Sequence, residues 1–323
     1  LARVYQDLGF EQAALNEATK SLDNDPGSHS AHRFLSDAYS NRRKYEIAHA
    51  SELFQAQMLQ PVGKTQLRPQ SIESDLDTIS YGNNFGNGSS DLTNLYSRNG
   101  VSASFNLFTG NQNTRGDELS ISGLYNNFAI SAAQYAYKSD GFRENNDVDH
   151  EIYNLFVQGK ITNNLSIQAE YLKRSTEKGD LALRFDPAAF NPNERNEIDT
   201  EMGRIGFNQK LGSSNTLLGS FMNRDLLTKK EIINSIPGVF TQTATTADDE
   251  NANIAEIQDI YVKNSFNILS GLSVTNVNKI KTLTTRTVIV VPPIDDTTII
   301  STNIDKDHKT AYLYSNIAAT NIF

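Results

Sequence analysis

The sequence predicts an α+β multidomain chain, in which helical repeats are followed by an antiparallel β-barrel that crosses a membrane. Three observations support this fold class. Residues near the start recur with a period of 34, apolar and polar residues alternate in the second half, and the connections between the alternating stretches are short and long in turn. An alternation of two residues places each set of side chains on its own face of a sheet.

Residues 1–61 carry the repeat. The recurring residues are Leu1, Tyr5 and Ala14, which return as Leu35, Tyr39 and Ala48, with Gly9 between helices and Pro26 at the end of the first unit. Repeats of this length are typical of helical solenoids. In the second unit Arg43 replaces the glycine and Pro61 falls one residue late. Because about three units are needed to bury a continuous core, we expect further repeats before Leu1.

The run LARVYQDLGFEQAALNEATKSLDNDP resembles the tetratricopeptide repeat. The matching positions are Leu1, Tyr5, Gly9, Ala14, Ala18 and Pro26. The resemblance implies a helical module with a concave surface that docks a protein partner, while a two-helix cap without a ligand fits the same residues.

Ten stretches after residue 98 predict strands. They lie at 99–108, 117–125, 128–137, 150–160, 165–174, 199–210, 216–225, 256–268, 272–282 and 309–320. Most are close to the 9 to 11 residues that a tilted membrane strand needs. Asn126 and Asn127 predict a two-residue hairpin turn, in which both residues have positive φ. A soluble antiparallel sandwich would show the same alternation.

The lengths of the connections predict the topology. Short connections are expected at 126–127, 161–164, 211–215 and 269–271, and long ones at 109–116, 138–149, 175–198, 226–255 and 283–308. In outer-membrane barrels short turns lie on the periplasmic side and long loops outside. The first strand then starts at the periplasmic end. This places the helical repeats, joined by a turn-rich linker over 62–98, in the periplasm.

The polar face of the predicted strands supplies the candidate site. We expect Glu118, Ser120, Ser122, Ser166, Gln168, Glu170, Asp259 and Lys263 to face the lumen. Such a lining is mildly acidic and rich in hydroxyl groups, which disfavours an anionic cargo.

Composition narrows the function class. The net charge of -9 and the pI near 5.1 argue against nucleic-acid binding. The run 288–291 is too short for a membrane-spanning helix. The absence of cysteine removes disulfides and zinc-thiolate sites.

Neither a metal or other cofactor nor an enzymatic activity is expected. His29, His32 and His49 have no further ligands nearby that would complete a metal site. His150 and His308 lack a recognisable nucleophile. The acidic groups around Asp248, Asp249 and Glu250, at Asp295 and Asp296, and at Asp305 and Asp307 lack the spacing of a calcium-binding loop and are expected to be solvated loop charges.

Two further resemblances concern the second half. The segment SDGFRENNDVDHEIYNLFVQGKITNNLSIQAEYLKR resembles the strands and external loops of TonB-dependent receptors, although no plug domain or energy-coupling box is visible. Repeats followed by a barrel resemble the exopolysaccharide-export porins. Phe323 resembles the terminal residue of barrel assembly signals, but Asn321 stands at a usually apolar position, so we expect truncation.

These observations predict an outer-membrane channel or exporter with a periplasmic module that docks a protein partner. Its other partners would be outer-membrane lipid and a polysaccharide or small solute as cargo, and not nucleic acid. Two alternatives stay open. One is a structural or adhesive surface protein that makes contacts through the loop 226–255, and the other is a fragment of a TonB-dependent uptake receptor.

Overall fold

The computed structural model describes residues 4–5, 8, 10–40, 46–62, 99–182, 190–263, 266–290 and 292–317. Within these ranges the helices are α1 (Glu11–Asn24), α2 (His29–Ser40) and α3 (Glu46–Leu59). The strands are β1 (Gly100–Thr109), β2 (Arg115–Tyr125), β3 (Phe128–Ser139), β4 (Val148–Lys160), β5 (Leu165–Lys178), β6 (Glu194–Lys210), β7 (Asn215–Ile236), β8 (Phe240–Lys263), β9 (Phe266–Ile289) and β10 (Ile294–Ile317). No described helix is long and apolar enough to cross a membrane.

Several predictions fall outside the described residues. They concern Leu1, Gly9, Arg43, nearly all of the linker 62–98, the end of the tenth strand and Phe323.

The ten strands form one antiparallel sheet, in which each strand pairs with its neighbours in the sequence. This confirms the predicted antiparallel strands. It also excludes the sandwich alternative, which requires two packed sheets. No ladder between β1 and β10 occurs in the described part of the chain, and closure of the barrel therefore stays a prediction.

The register shows that the strands are inclined to the line of their short turns. Tyr125, which ends β2, lies in one row of paired residues with Gly159, Phe207 and Ile257. Six strands further on, β8 continues for six residues beyond that row, to Lys263. An offset of one residue per strand corresponds to a tilt of about 35°, from a rise of about 3.4 Å and a strand spacing of about 4.8 Å. Transmembrane barrels have strand tilts of this size.

One face of the sheet, called the outer face, carries an exposed apolar band near the short turns. On β4 it runs from Tyr153 through Leu155 and Val157 to Ile161, with exposures between 40% and 49%. At the tilt given above this stretch is about 22 Å tall, close to the apolar band of about 25 Å in transmembrane barrels. Further from the short turns the outer face becomes charged, as shown by the row of Lys173, Glu201 and Asp225.

Two predicted long loops are wrong, because residues 226–255 and 283–308 form strands. β7 has 22 residues and β8, β9 and β10 have 24 each, and these strands project far beyond the apolar band. β7 and β8 are joined by a short turn at 237–239. Where both faces of a sheet meet water, residues such as Ile232 and Ile233 no longer alternate in polarity, and the period of two that reveals a strand is lost.

Two predicted turns also differ from the structure. The turn predicted at 269–271 is wrong, because these residues lie within β9, which begins at Phe266. Gly271, which suggested the turn, lies within β9 because the ring of Tyr312 packs where a Cβ atom would stand. The predicted turn at Asn126 and Asn127 is present, but only Asn126 has positive φ.

Two of the described helices, α1 and α3, lie against the other face of the sheet, called the inner face, and not apart from it as predicted. α3 packs on β5 and β6, and α1 packs on β10. Ala50 and Leu53 of α3 share a buried cluster with Ile152, Phe156 and Met202. The helices begin and end near the positions that a 34-residue period requires. Three helices in the described residues do not complete two repeats, so tetratricopeptide repeats are not shown.

A substitution at Gly141 tests the geometry of the loop between β3 and β4. The φ of Gly141 is +75° and an added Cβ atom would overlap the carbonyl oxygen of Asn146. We expect Gly141→Ala to lower the free energy of unfolding by more than about 1 kcal/mol, because it adds backbone strain and a clash. Gly203→Ala is the control, since no atom lies within 4 Å of its added Cβ. Urea titration of the folded band on a gel measures both variants. Equal midpoints would contradict the loop geometry.

Candidate functional site

Six of the eight predicted lumen residues lie on the inner face. Glu118, Ser120 and Ser122 belong to β2, and Ser166, Gln168 and Glu170 belong to β5. The register links these positions to Ser131, Phe156 and Arg204 across the strands between and beyond them. Glu118, Gln168 and Glu170 are buried. Their role in a lumen stays a prediction.

Asp259 and Lys263 do not share this face, and that part of the prediction is wrong. Asp259 pairs with Leu217 in a row of the outer face, whereas its neighbours Gln258 and Ile260 point to the inner face and are buried. The inner face of β8 is partly apolar because helices cover it. Polarity therefore no longer indicates which face a residue of this strand belongs to.

Side chains of the inner face of the sheet, from here on called the wall, donate hydrogen bonds to main-chain carbonyl groups of α3. Asn208 Nδ2 donates a hydrogen bond to Met58 O at 2.9 Å, and Gln158 Nε2 donates to Gln57 O at 3.4 Å. Both carbonyls belong to the last turn of the helix, where no partner exists within the helix. Asparagine and glutamine amides thus cap the C-terminus of α3 and fix its position on the sheet.

α1 is held in the same way at the same end of the sheet. Asn316 Nδ2 of β10 donates to Asp23 O at 2.7 Å, and Asn267 Nδ2 of β9 donates to Asn24 O. These carbonyls end α1. The C-termini of both helices therefore point to the end where the short turns lie.

Apolar contacts complete the docking of α3. Phe54 and Met58 form a buried cluster with Leu218 and Ile260 of the wall. The helix comes close because Gly206 has no side chain: a Cβ atom there would lie 2.7 Å from both Met58 Sδ and Phe54 Cε1. The absence of a side chain at Gly206 thus allows α3 to pack directly against β6.

Arg204 is the charged centre of the contact. Its guanidinium donates to Ala50 O at 2.6 Å, forms a buried ion pair with Glu170, and lies 4.8 Å above the ring of Phe54. Asn154 Nδ2 donates to the other oxygen of Glu170 at 2.7 Å. A buried charge is tolerated when it is paired and hydrogen-bonded.

His32 joins the helices to one another. Its Nδ1 lies 2.6 Å from Glu52 Oε2 in α3, and its Nε2 lies 3.1 Å from Pro26 O. Both nitrogens of this buried ring therefore contact oxygen atoms of the protein. His29 lies 3.5 Å from the amide of Gln60. No group of three or more possible metal ligands occurs among the described residues.

The acidic groups expected in loops lie instead in strands. Asp248 and Glu250 face Lys279 at 2.9 and 3.9 Å, and Asp295 accepts two hydrogen bonds from Arg286. His150 is buried, with Nδ1 2.7 Å from Thr176 Oγ1. Ion pairs and hydrogen bonds within the sheet thus hold part of these side chains, while the buried His150 Nε2 and Asp248 Oδ1 have no partner among the described residues.

Gln168 and Glu170 were predicted to face the lumen, but the other residues that hold α3 were missed in the sequence. Arg204, Asn208 and Gly206 stand about 150 positions after their partners in α3. The only local signal was an arginine and a glycine at inner-face positions of a strand, and neither indicates a helix as partner.

Comparison with known proteins shows that this sheet resembles the fold of outer-membrane receptor barrels. No protein-family model and no curated protein matches the chain. Three solved structures resemble it: the ferric citrate transporter FecA, the ferric-catecholate import receptor Fiu from E. coli K12 and the siderophore receptor PiuA from Acinetobacter baumannii. Their TM-scores are 0.50, 0.52 and 0.51, with 13%, 11% and 9% sequence identity, over 68%, 70% and 68% of this chain. The likeness is one of fold.

The chain spans between 35% and 43% of the length of these receptors. It therefore corresponds to fewer than half of their residues.

The ion pair beneath α3 gives a test of helix docking. Glu170→Gln leaves Arg204 buried without an opposite charge, which destabilises such sites by about 3 kcal/mol. We expect the helices to be released more often. Limited proteolysis of residues 11–59 in the full-length protein should then be faster than in the unsubstituted protein.

Glu201→Gln is the matched control, because Glu201 lies on the outer face and accepts a hydrogen bond from Tyr171 at 2.8 Å. Equal proteolysis rates in the two variants would show that the ion pair does not hold α3.

Proposed function

We propose that this chain forms part of an outer-membrane β-barrel that admits a small solute, with α1, α2 and α3 inside the lumen where they restrict passage. Three features support the placement in the outer membrane: the fold likeness to receptor barrels, the strand tilt, and the exposed apolar band on the outer face. TonB-dependent uptake is one form of this function.

One observation carries the proposal. Four wall side chains, Arg204, Gln168, Gln158 and Asn208, donate hydrogen bonds to main-chain carbonyls of α3. A helix bound to the polar face of a transmembrane sheet occupies space that water and solutes would otherwise fill. The helices therefore occupy part of the lumen.

Polymer export with a periplasmic docking module has less support. Its argument was the resemblance to exopolysaccharide-export porins, in which the repeats dock periplasmic partners. In the structure α1 and α3 contact the inner face of the sheet, so export stays a prediction from the sequence.

Gly206 and Gly203 provide a matched pair of substitutions in one strand. Gly206→Val pushes on Met58 and Phe54 and should displace α3, whereas Gly203→Val enters open space on the outer face. In planar lipid bilayers we expect the full-length Gly206→Val protein to conduct ions several-fold better than the unsubstituted protein. Gly203→Val should conduct like the unsubstituted protein.

Proteolysis of the helices in the same preparations shows whether α3 was displaced. Helices that are released while the conductance stays unchanged would refute their proposed role in restricting passage.

A second candidate function is contact with an apolar surface, and the tips of the projecting hairpins favour it. Ile236, Phe240, Ile289 and Ile294 form one row across four strands on the inner face. Ile236 and Ile294 are 52% and 46% exposed. This row lies on the order of 40 Å beyond the apolar band. Such an exposed apolar patch marks an interaction surface.

The tip is also held in shape by charge. Arg286 Nη2 donates to Asp295 Oδ2 at 2.7 Å, and this hydrogen bond keeps the pKa of Asp295 below its usual range. This ion pair thus links β9 to β10 close to the end of the hairpin.

Adhesion to hexadecane droplets tests this second function. Cells that express Ile236→Ser together with Ile294→Ser should adhere less than cells with the unsubstituted protein, because the apolar row is lost. Ile299→Ser is the control, since Ile299 is 65% exposed but lies on the outer face away from the tip. If the control reduces adhesion equally, the tip has no special role.

A further inference from the structure

Polar side chains, most of them small, form a strip on the inner face of the first three strands, beside aromatic residues such as Tyr135 and Tyr137. We call these polar residues the serine strip: Ser102, Ser104, Asn106, Glu118, Ser120, Ser122 and Ser131. The register makes the strip continuous. Ser102 pairs with Ser122, which pairs with Ser131, and Ser104 pairs with Ser120.

The serine strip lies beside the docked helices. The main packing of the described helices is against β5, β6 and β10. Ser102 and Asn106 are exposed, and Ser104, Ser120 and Ser122 are half-buried. Glu118 and Ser131 of the strip are buried.

Glu118 gives the strip its charge. It is the only charged residue on the inner face of β1, β2 and β3, all of whose residues are described. Its Oε2 accepts a hydrogen bond from Asn106 Nδ2 at 3.1 Å, while its buried Oε1 has no donor among the described residues. A buried carboxylate oxygen without a donor is unfavourable unless water or a cation binds it.

We propose that the serine strip is the wall of a water-filled path past the helices, and that Glu118 makes this path favour cationic over anionic solutes. The inference rests on the proposed function, because it requires a barrel through which solutes pass. Serine hydroxyl groups replace part of the hydration shell of a passing solute. A single carboxylate in a narrow passage raises the local concentration of cations and lowers that of anions.

Thiol labelling can test the path directly, because the chain contains no cysteine. Ser104→Cys places one thiol on the strip, and Ala103→Cys places one on the outer face of the same strand. Intact cells carrying the full-length protein are treated with a cationic or an anionic methanethiosulfonate reagent. Each rate is divided by the rate of that reagent with a free thiol.

We expect Ser104→Cys to react and Ala103→Cys to be protected by lipid. At Ser104→Cys the cationic reagent should react faster than the anionic one. Adding Glu118→Gln should reduce this preference by about fivefold, from the Coulomb energy of one charge about 7 Å away in a partly aqueous path. Asp117→Asn is the control, since the neighbouring Asp117 lies on the outer face, and it should leave the preference unchanged.

Ser120→Asp is a second variant that keeps Glu118 intact. It adds a carboxylate opposite Ser104 and should increase the preference for the cationic reagent.

The outcomes separate the two proposals. An unreactive Ser104→Cys, or a preference that neither Glu118→Gln nor Ser120→Asp changes, overturns this inference and leaves the proposed barrel intact. Equal reactivity of Ala103→Cys and Ser104→Cys would mean that the outer face does not meet lipid, and the proposed function would fail as well.

Discussion

The exposed apolar outer face determines how the polar side chains of the inner face, and the helices that pack there, must be satisfied. Leu155, Val157 and Ile205 occupy the side that would be solvated in a soluble antiparallel sheet. The polar residues of the same strands must then be satisfied on the inner face, by water or by other protein groups. A helix that packs there cannot rely on an apolar stripe alone. α3 meets the requirement through main-chain carbonyls, which accept hydrogen bonds from amides and a guanidinium of the wall while Phe54 and Met58 fill the space around Gly206.

How well the strands could be predicted depended on how different the two faces are. In β1, β2 and β5 apolar residues of the outer face alternate with mostly polar residues of the inner face, and the predicted bounds of all five strands from β1 to β5 agree with the structure within a few residues. In β7 to β10 both faces of the projecting part meet water, and the alternation disappears although Thr, Ile and Val still favour extended structure. Asp259 was misplaced for a related reason. It lies on the outer face at the edge of the apolar band, while its neighbour Ile260 packs against the helices.

The helices could be located from the sequence but their packing could not. A period of 34 predicts contacts between successive helices, and in the structure Ala14, Ala18 and Leu35 are buried. The same period carries no information about a wall more than a hundred residues away in the chain. α3 is buried on most sides, since Leu53, Phe54, Gln57 and Met58 are all largely inaccessible. A helix without a solvated face needs partners beyond the other helices, and here the sheet supplies them.

The part of the wall that contacts α3 differs in side-chain size and charge from the part formed by β1, β2 and β3. Where α3 lies, a glycine permits close approach and Arg204 supplies a charge that Glu170 balances, so the contact is dense and electrically neutral. Along β1, β2 and β3 the inner face carries serines and the single charge of Glu118, which no described residue balances. Dense, neutral packing favours a fixed helix, whereas small hydroxyl groups beside an unbalanced carboxylate favour water and mobile cations. Both regions belong to one sheet with one register, so the difference arises from the side chains alone.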